Sequence, residues 1–231
     1  MARPHLMIAS QHGFLEGAKL LLDHGATVNA TSEIDGQTAV HAAVKKKDGK
    51  SLKVLLESRA DPDVKDKRGH TPLMIASDLG FLEGAKLLID HGATVNATSE
   101  IDGQTAVHAA VKKKDGKSLK VLLGSRADPD VGDKCGRTPL MIASDLGFLE
   151  GAKLLIEHIA TVNATSNSSY TALHYAADCG HMDIVKLLLD NDADATMKNN
   201  CGHTAAVYAY RHMKIADLLE RKMREQMEKR K

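Results

Sequence analysis

The sequence contains no tryptophan, and only 3% of its residues are aromatic. A domain of this size built around one core usually has more large rings, because aromatic side chains bury the most apolar surface. An excess of charge is also missing, since 31 lysines and arginines face 30 aspartates and glutamates. A net charge of +1 gives no global attraction to nucleic acid or anionic lipid, so any electrostatic preference must be local.

Cysteine is scarce, and no stretch of the chain is long and apolar. The three cysteines, Cys135, Cys179 and Cys201, are odd in number and form no CxxC pair, which favours free thiols in a reducing compartment over a disulfide framework. No apolar run follows Met1, and none approaches the roughly 18 residues that cross a membrane. These absences predict a soluble intracellular protein, cytoplasmic or alternatively nuclear.

The chain contains a long internal duplication. Residues 31–97 recur as residues 98–164 with only six differences in 67 positions, and residues 6–30 closely match residues 73–97. The six differing pairs are Glu57/Gly124, Lys65/Gly132, Arg68/Cys135, His70/Arg137, Asp90/Glu157 and Gly92/Ile159.

A shorter period lies inside the duplicated block. Equivalent units begin at a threonine, with spacings of 33, 34, 33, 33 and 33 residues, at Thr38, Thr71, Thr105, Thr138, Thr171 and Thr204. Each unit reads as a turn, a short Ala-rich helix, a break and a Leu-rich helix. Helices of two to three turns are too short to be stable alone, so the apolar side of each pair must be covered by the next unit.

The third unit shows why the chain forms helices here. Thr71 is suited to cap the first helix and Pro72 to occupy its first turn, while Gly80 ends that helix where a positive φ is needed. Leu88 and its apolar neighbours form the buried side of the second helix, and Gly92 closes it.

Residues 171–177, Thr-Ala-Leu-His-Tyr-Ala-Ala, resemble the Thr-Pro-Leu-His-x-Ala motif that ankyrin repeats carry at a period of 33 residues. Gly180-His181 and the Ile-Val-Lys-Leu-Leu-Leu run at 184–189 follow in the family's spacing. The resemblance covers essentially the whole chain. It implies an all-α fold, an ankyrin-repeat solenoid of about seven stacked helix-turn-helix units with short β-hairpin loops.

We expect residues 1–219 to form the repeat array and residues 220–231 to form a basic helical C-terminal extension. The expected units are approximately 1–32, 33–65, 66–98, 99–132, 133–165, 166–197 and 198–219. The last unit is shortened, which suits a terminal capping repeat whose outer face is polar and exposed to solvent. The chain opens partway into a unit, which points to a fragment of a longer array.

The histidines His41, His108 and His174 recur at the fourth motif position. A metal or catalytic row is one interpretation. The resemblance implies instead a structural imidazole that bonds the hairpin backbone, and no carboxylate or thiol recurs beside them at ligand spacing. Nucleophile-elbow, phosphate-loop and zinc motifs are also lacking. We therefore expect no cofactor, no metal and no catalysis.

Three groups of residues are candidates for contact with a partner. The concave face of the first helices is expected to present Ile75, Asp78 and Leu79, repeated as Ile142, Asp145 and Leu146. The lysine runs contribute Lys45, Lys46, Lys112 and Lys113. These lysines either form a basic strip that binds an acidic partner or are simply charged residues exposed to solvent. The hairpin tips contribute Ile34, Asp35, Ile101 and Asp102, where Asp-Gly pairs suit tight turns. Phe81 and Phe148 could join the concave stripe or tuck between units, and the sequence leaves both alternatives open.

Together these observations predict a non-catalytic protein–protein interaction module, a scaffold or adaptor that acts as a monomer and binds another protein through first-helix faces and hairpin tips. One alternative is an electrostatic binder of acidic lipid or nucleic acid through the lysine runs and the basic tail. Another is the targeting fragment of a larger enzyme. Ile159, which replaces Gly92 in the second copy, is expected to be strained and to make the fifth unit the softest.

Overall fold

A computed structural model describes residues 4–230, so residues 1–3 of the predicted array and residue 231 of the predicted tail lie outside the described part. Fourteen α-helices and one short 3-10 helix, Ala209–Arg211, fill this range. The α-helices are α1 His5–His12, α2 Leu15–Asp23, α3 Ala39–Lys46, α4 Gly49–Glu57, α5 Pro72–Asp78, α6 Leu82–Asp90, α7 Ala106–Lys112, α8 Gly116–Gly124, α9 Pro139–Leu146, α10 Leu149–Glu157, α11 Ala172–Asp178, α12 Met182–Asp190, α13 Ala205–Tyr208 and α14 Met213–Glu228.

The chain divides into two compact units. The first comprises residues up to 113 together with 120–127, and the second comprises 114–119 together with the residues from 128 onward. In the first unit, α1, α3, α5 and α7 pack side by side, each against the next, and α2, α4 and α6 form a second row. In the second unit, α11 packs between α9 and α13, and α12 packs against α10 and α11.

Small and branched apolar side chains fill the cores of both units. In the first unit, Leu52, Leu55, Leu73 and Leu88 are fully buried among alanines such as Ala76. Each buried leucine contributes about 1.5–3 kcal/mol relative to an exposed one.

Leu155, Leu173, Ile184 and Leu188 have the same role in the second unit. The alanines allow helices to approach closely, and this close packing explains how the chain builds a core without tryptophan.

Local hydrogen bonds set where the helices begin. The Thr71 hydroxyl accepts a hydrogen bond from Met74 N–H at 3.4 Å, and Pro72 occupies the first turn of α5. Asp48 caps α4, since its carboxylate accepts the N–H groups of Lys50 and Ser51, both at 3.1 Å. These caps satisfy donors that a helix start otherwise leaves unpaired.

The loops between helix pairs are tight turns, and no strand forms among residues 4–230. In the first such loop Ser32 N–H donates to Gln37 O at 2.8 Å, and Gly36 adopts a left-handed φ of 71°. The only bridge assigned in the described range joins Lys198 and Thr204. The hairpin turns expected from the sequence are therefore present, but their arms are too short for a ladder of paired strands.

Left-handed residues recur at three positions of the repeat: after the first helix, after the second helix and in the turn of the loop. Seven residues other than glycine have positive φ in the described range: Lys47, Arg59, Lys114, Arg126, Ile159, Ser169 and Asp192. Ile159, with φ of 67°, is the only β-branched member of this set, and its side chain is 87% exposed. The backbone of Ile159 is therefore strained, as the sequence predicts, and no burial of its side chain offsets the strain.

We expect Ile159→Gly to raise the free energy of unfolding by about 1 kcal/mol, because a left-handed conformation costs an L-residue about 1–2 kcal/mol. The duplicate offers the reverse change, Gly92→Ile, where an added Cβ meets no atom within 4 Å and only backbone strain acts. Urea unfolding should show a higher midpoint for the first variant and a lower one for the second. Equal midpoints would show that the strain is negligible.

The C-terminal helix α14 closes the second unit. Gln226 accepts a hydrogen bond from Ala195 N–H and donates one to Ala193 O, both at 2.9 Å. Arg230 donates to Asp194 Oδ2 at 2.7 Å and to Thr196 Oγ1 at 2.9 Å. The extension therefore binds the preceding loop, and this arrangement fits a cap.

Removing the Gln226 amide should loosen that loop. We expect Gln226→Ala to speed hydrogen exchange at the Ala195 amide by about fivefold, since losing a hydrogen bond costs about 1 kcal/mol. Exchange measured by NMR on the full chain checks this, with the exposed Arg224→Ala as the matched control on the same helix. Unchanged protection of Ala195 would contradict the capping role.

Candidate functional site

A groove of about 520 Å³ lies in the first unit, over the adjacent helices α3, α5 and α7 and the loops that precede them. Its apolar part is supplied by Met74, Ile75 and Leu79 of the α5 region and by Ala109 of α7. Six residues singled out from the sequence line it, namely Lys45, Ile75, Asp78, Leu79, Asp102 and Lys112.

The apolar floor owes its shape to one repeat position, the fourth residue after each threonine. This position holds Ala42 on α3, Ile75 on α5 and Ala109 on α7. Ile75 remains partly exposed between the two small side chains. The small side chains leave space on either side of Ile75, whose exposed part supplies apolar surface.

The loops at the edge of the groove are held by a buried aspartate. Asp66 is 7% exposed, and its carboxylate accepts the N–H groups of Arg68 and His70, both at 2.9 Å. Such bonds fix the tip of the loop and thereby position Arg68 and His70 along the groove.

Asp102 contributes a stable negative charge to the same groove. Burial opposes its ionisation, but hydrogen bonds from the Ser99 side chain and Gln104 N–H, together with the charge of Lys112, hold the pKa of Asp102 below its usual value. The Gln104 N–H lies 3.2 Å from Asp102 Oδ1. Because the folded pKa is depressed, the stability that this group contributes is present at neutral pH and lost as pH falls through the folded pKa.

Ser99→Ala should raise the pKa of Asp102 toward that of a free aspartate, because it removes the first of the interactions that favour the carboxylate. The pH dependence of the carboxyl ¹³C shift measures this directly. The exposed neighbour Thr98 provides a control, and Thr98→Ala should leave the titration where it is. A titration of Asp102 that Ser99→Ala does not move would contradict the assignment.

Other predicted contact residues lie outside the groove lining. Lys46 and Lys113 are exposed, and Ile34 and Ile101 stand at loop tips with 50% and 58% exposure. Asp35 Oδ1 accepts Gln37 N–H at 3.3 Å and so helps to form its own turn.

Three further predicted residues belong to the second unit. Ile142 is only 5% exposed, so it is too buried to contribute to a contact surface, contrary to the prediction. Asp145 accepts a hydrogen bond from the Cys179 thiol at 3.4 Å, and Leu146 is half-buried. Burial, with this carboxylate beside it, raises the pKa of Cys179 to about 11.

The structure decides between the two alternatives for the phenylalanines. Phe81 and Phe148 are 6% and 7% exposed, so both are packed inside and neither joins a contact stripe. The Phe81 ring lies against Gly84, where any Cβ would overlap it, and Phe148 lies against Gly151 in the same way. This packing explains the repeated Gly-Phe-Leu-Glu-Gly segment.

The recurrent histidines are structural, as the resemblance implies. His41 Nδ1 accepts Thr38 N–H at 3.2 Å, and its Nε2 lies 3.3 Å from His70 O. His174 repeats this arrangement with Thr171 N–H and His203 O. Burial lowers the pKa of His41, so the neutral ring both accepts and donates. No cluster of three metal-ligating side chains occurs among residues 4–230.

Sequence reasoning missed several groove residues, and the repeat register could have found them. Gln37, His70 and Gln104 each immediately precede the threonine of their unit, and all three line the groove. Ala109 occupies the register of Ile75 but is small, so a search for exposed apolar residues passes over it.

Comparison with known proteins decides the family. The family model for ankyrin repeats matches residues 6–99, 40–130, 107–199 and 160–227. The chain belongs to the ankyrin-repeat family. Within the described residues, no helix combines the length and apolar character needed to cross a membrane.

Relatives of this ankyrin-repeat chain are much longer than the matched region. It is 29% identical over 148 residues to neurogenic locus notch homolog protein 1 of Danio rerio, a match covering 64% of this chain and 6% of that protein. It is 33% identical over 140 residues to the B-cell lymphoma 3 protein homolog of Mus musculus, covering 59% of this chain and 31% of that one.

Solved ankyrin domains match nearly the whole chain. The ankyrin repeat domain of Bcl-3 aligns with a TM-score of 0.85 and 28% identity, covering 95% of this chain and 99% of that domain. The human ASB11 ankyrin repeat domain aligns with a TM-score of 0.81 and 26% identity, covering 95% and 98%. The fold is accordingly an all-α ankyrin-repeat solenoid.

Proposed function

We propose that this ankyrin-repeat chain is a non-catalytic protein-interaction module that binds a segment of a partner protein in the groove of its first unit. The observation that carries the proposal is the composition of this groove. An apolar floor of Met74, Ile75 and Leu79 is flanked by charged side chains on both sides. An apolar centre within a polar rim is the usual anatomy of a protein-binding surface. Family membership supports the proposal, because ankyrin repeat domains bind other proteins.

The basic residues favour a second candidate less strongly. The lysine runs at 45–47 and 112–114 are exposed and could attract acidic lipid or nucleic acid. No aromatic side chains alternate with them as stacking platforms. In the tail, Arg230 is already paired with Asp194. We therefore rank the electrostatic binder below the protein-interaction module.

A further alternative is that the array is the targeting portion of a larger enzyme. This alternative is compatible with the main proposal, since targeting also requires partner binding. We propose action as a monomer, in the cytoplasm or the nucleus. The three cysteines, Cys135, Cys179 and Cys201, form no disulfide in the described part of the chain, which supports a reducing compartment.

Introducing a charge at the groove floor by substitution tests the main proposal. Leu79→Arg should reduce the capture of partner proteins from cell extract at least tenfold, because burying a charge against an apolar anchor costs more than about 1.4 kcal/mol. Quantitative mass spectrometry of the captured proteins measures the effect. Leu20→Arg is the matched control, since Leu20 is 60% exposed and lies on α2, outside the groove. Captured proteins that are equally reduced by both variants, or by neither, would refute groove binding.

Salt dependence separates the two classes of partner. Capture through an apolar groove should change little between about 50 and 200 mM salt, whereas nucleic acid held by several lysines should weaken by orders of magnitude. A steep salt dependence that Leu79→Arg leaves intact would favour the electrostatic alternative.

A further inference from the structure

A row of alternating charge crosses the groove. The seventh residue after each repeat threonine is Lys45 on α3, Asp78 on α5 and Lys112 on α7. All three line the groove. Because α5 packs against both α3 and α7, the charges lie in the order positive, negative, positive along the direction in which the helices stack.

None of these three side chains makes a hydrogen bond or ion pair with another side chain in the part of the chain that the structure describes. Elsewhere, charged groups at the edge of the first unit are paired, as Lys65 is with Glu100 at 3.4 Å. Lys45 and Asp78 are therefore available to charges of a ligand, and Lys112 is available while also attracted to the Asp102 carboxylate in the same groove.

The spacing of the row defines the ligand's repeat. Packed helices lie about 8–10 Å apart, so the backbone positions that carry neighbouring charges of the row are about 9 Å apart. A polyproline-II chain advances about 3.1 Å per residue with three residues per turn, so residues i and i+3 lie on one face about 9.3 Å apart. An extended segment with charges three residues apart thus matches the row.

The groove matches an extended chain in size better than a helix. Spread along the roughly 18 Å from the first to the third helix, the volume of about 520 Å³ that the centres of water molecules can reach is about 5–6 Å across, and a water radius of about 1.4 Å on each side places the walls about 8–9 Å apart. Neighbouring extended chains are about 5 Å apart, whereas an α-helix with its side chains is about 10–12 Å wide. The groove therefore accommodates one extended chain, and a helix is too wide to reach its floor.

Resting on the function proposed above, we propose that the groove binds an extended, polyproline-II-like segment of a partner protein. The segment carries an acidic residue, a basic residue three positions later and an acidic residue three positions after that. These residues pair with Lys45, Asp78 and Lys112, while apolar residues between them contact Ile75 and Leu79. The pattern reads the same in both chain directions, so the charges alone do not set the polarity of the bound segment.

Two synthetic peptides test the charge order. The first is Glu-Pro-Leu-Arg-Pro-Leu-Glu, and the second, Glu-Glu-Arg-Pro-Leu-Pro-Leu, has the same composition and net charge with the spacing destroyed. NMR titration of the full chain should show the first binding about tenfold more tightly, as expected for three exposed ion pairs. Absence of binding by the first peptide, or equal affinity for both, overturns the proposal.

A variant in which the three charges of the groove are reversed provides the decisive experiment. The variant Lys45→Glu/Asp78→Lys/Lys112→Glu should prefer Arg-Pro-Leu-Glu-Pro-Leu-Arg over the first peptide, inverting the wild-type order. Lys46→Glu/Lys113→Glu, with the same loss of lysines just outside the groove lining, should keep the wild-type order. Circular dichroism should show all variants folded, because the altered side chains are exposed.

The outcomes separate this inference from the function beneath it. If Leu79→Arg abolishes partner capture but charge reversal leaves peptide preference unchanged, the groove binds partners and the alternating-charge rule is wrong. If Leu79→Arg leaves capture intact, the proposed function itself fails. A longer helical peptide with the same charges seven residues apart, about 10 Å along a helix, should bind less tightly than the first peptide, and tighter binding overturns the extended conformation.

Discussion

Every feature of this chain depends on the need of each short helix pair to cover its apolar sides with neighbouring pairs. Helices of seven to nine residues, such as α5 and α6, are marginal in isolation, and burial of side chains such as Leu73 and Leu88 stabilises them. Because contact with neighbours supplies this burial, helices must lie close together, and alanines at the helix interfaces permit it. The resulting helix spacing then fixes the distance between equivalent side chains.

Much of the fold could be predicted from the sequence because its determinants are local and recur. A threonine cap and an apolar side are visible in the sequence every 33 or 34 residues, and glycine marks the left-handed helix end in some repeats, as Gly80 and Gly92 do in the third unit. The extent of strand pairing in the loops could not be predicted, because it depends on how the arms beyond each turn diverge. Expected hairpins such as residues 32–37 are turns without strands.

Less of the candidate site could be predicted, and the two copies of one sequence show why. Ile75 and Ile142 have identical local sequences, yet Ile75 is partly exposed whereas Ile142 is buried. The residue at the same register on the following first helix is Ala109 in one case and Tyr175 in the other. Accessibility in a stacked fold is a property of neighbouring repeats, so the sequence of one repeat cannot determine it.

Duplication of two repeats together, rather than of one, has an electrostatic consequence. Copying a single repeat would place the same charge on every first helix, and like charges about 9 Å apart would repel within a Debye length. Copying a pair with Lys45 in one repeat and Asp78 in the other makes the charges alternate instead. In the binding mode proposed above, the row attracts ligands weakly at long range and discriminates among them at contact, where each of its charges must meet an opposite one. In that binding mode, selectivity follows from the order of charges, which a nearly neutral chain can supply as readily as a strongly charged one.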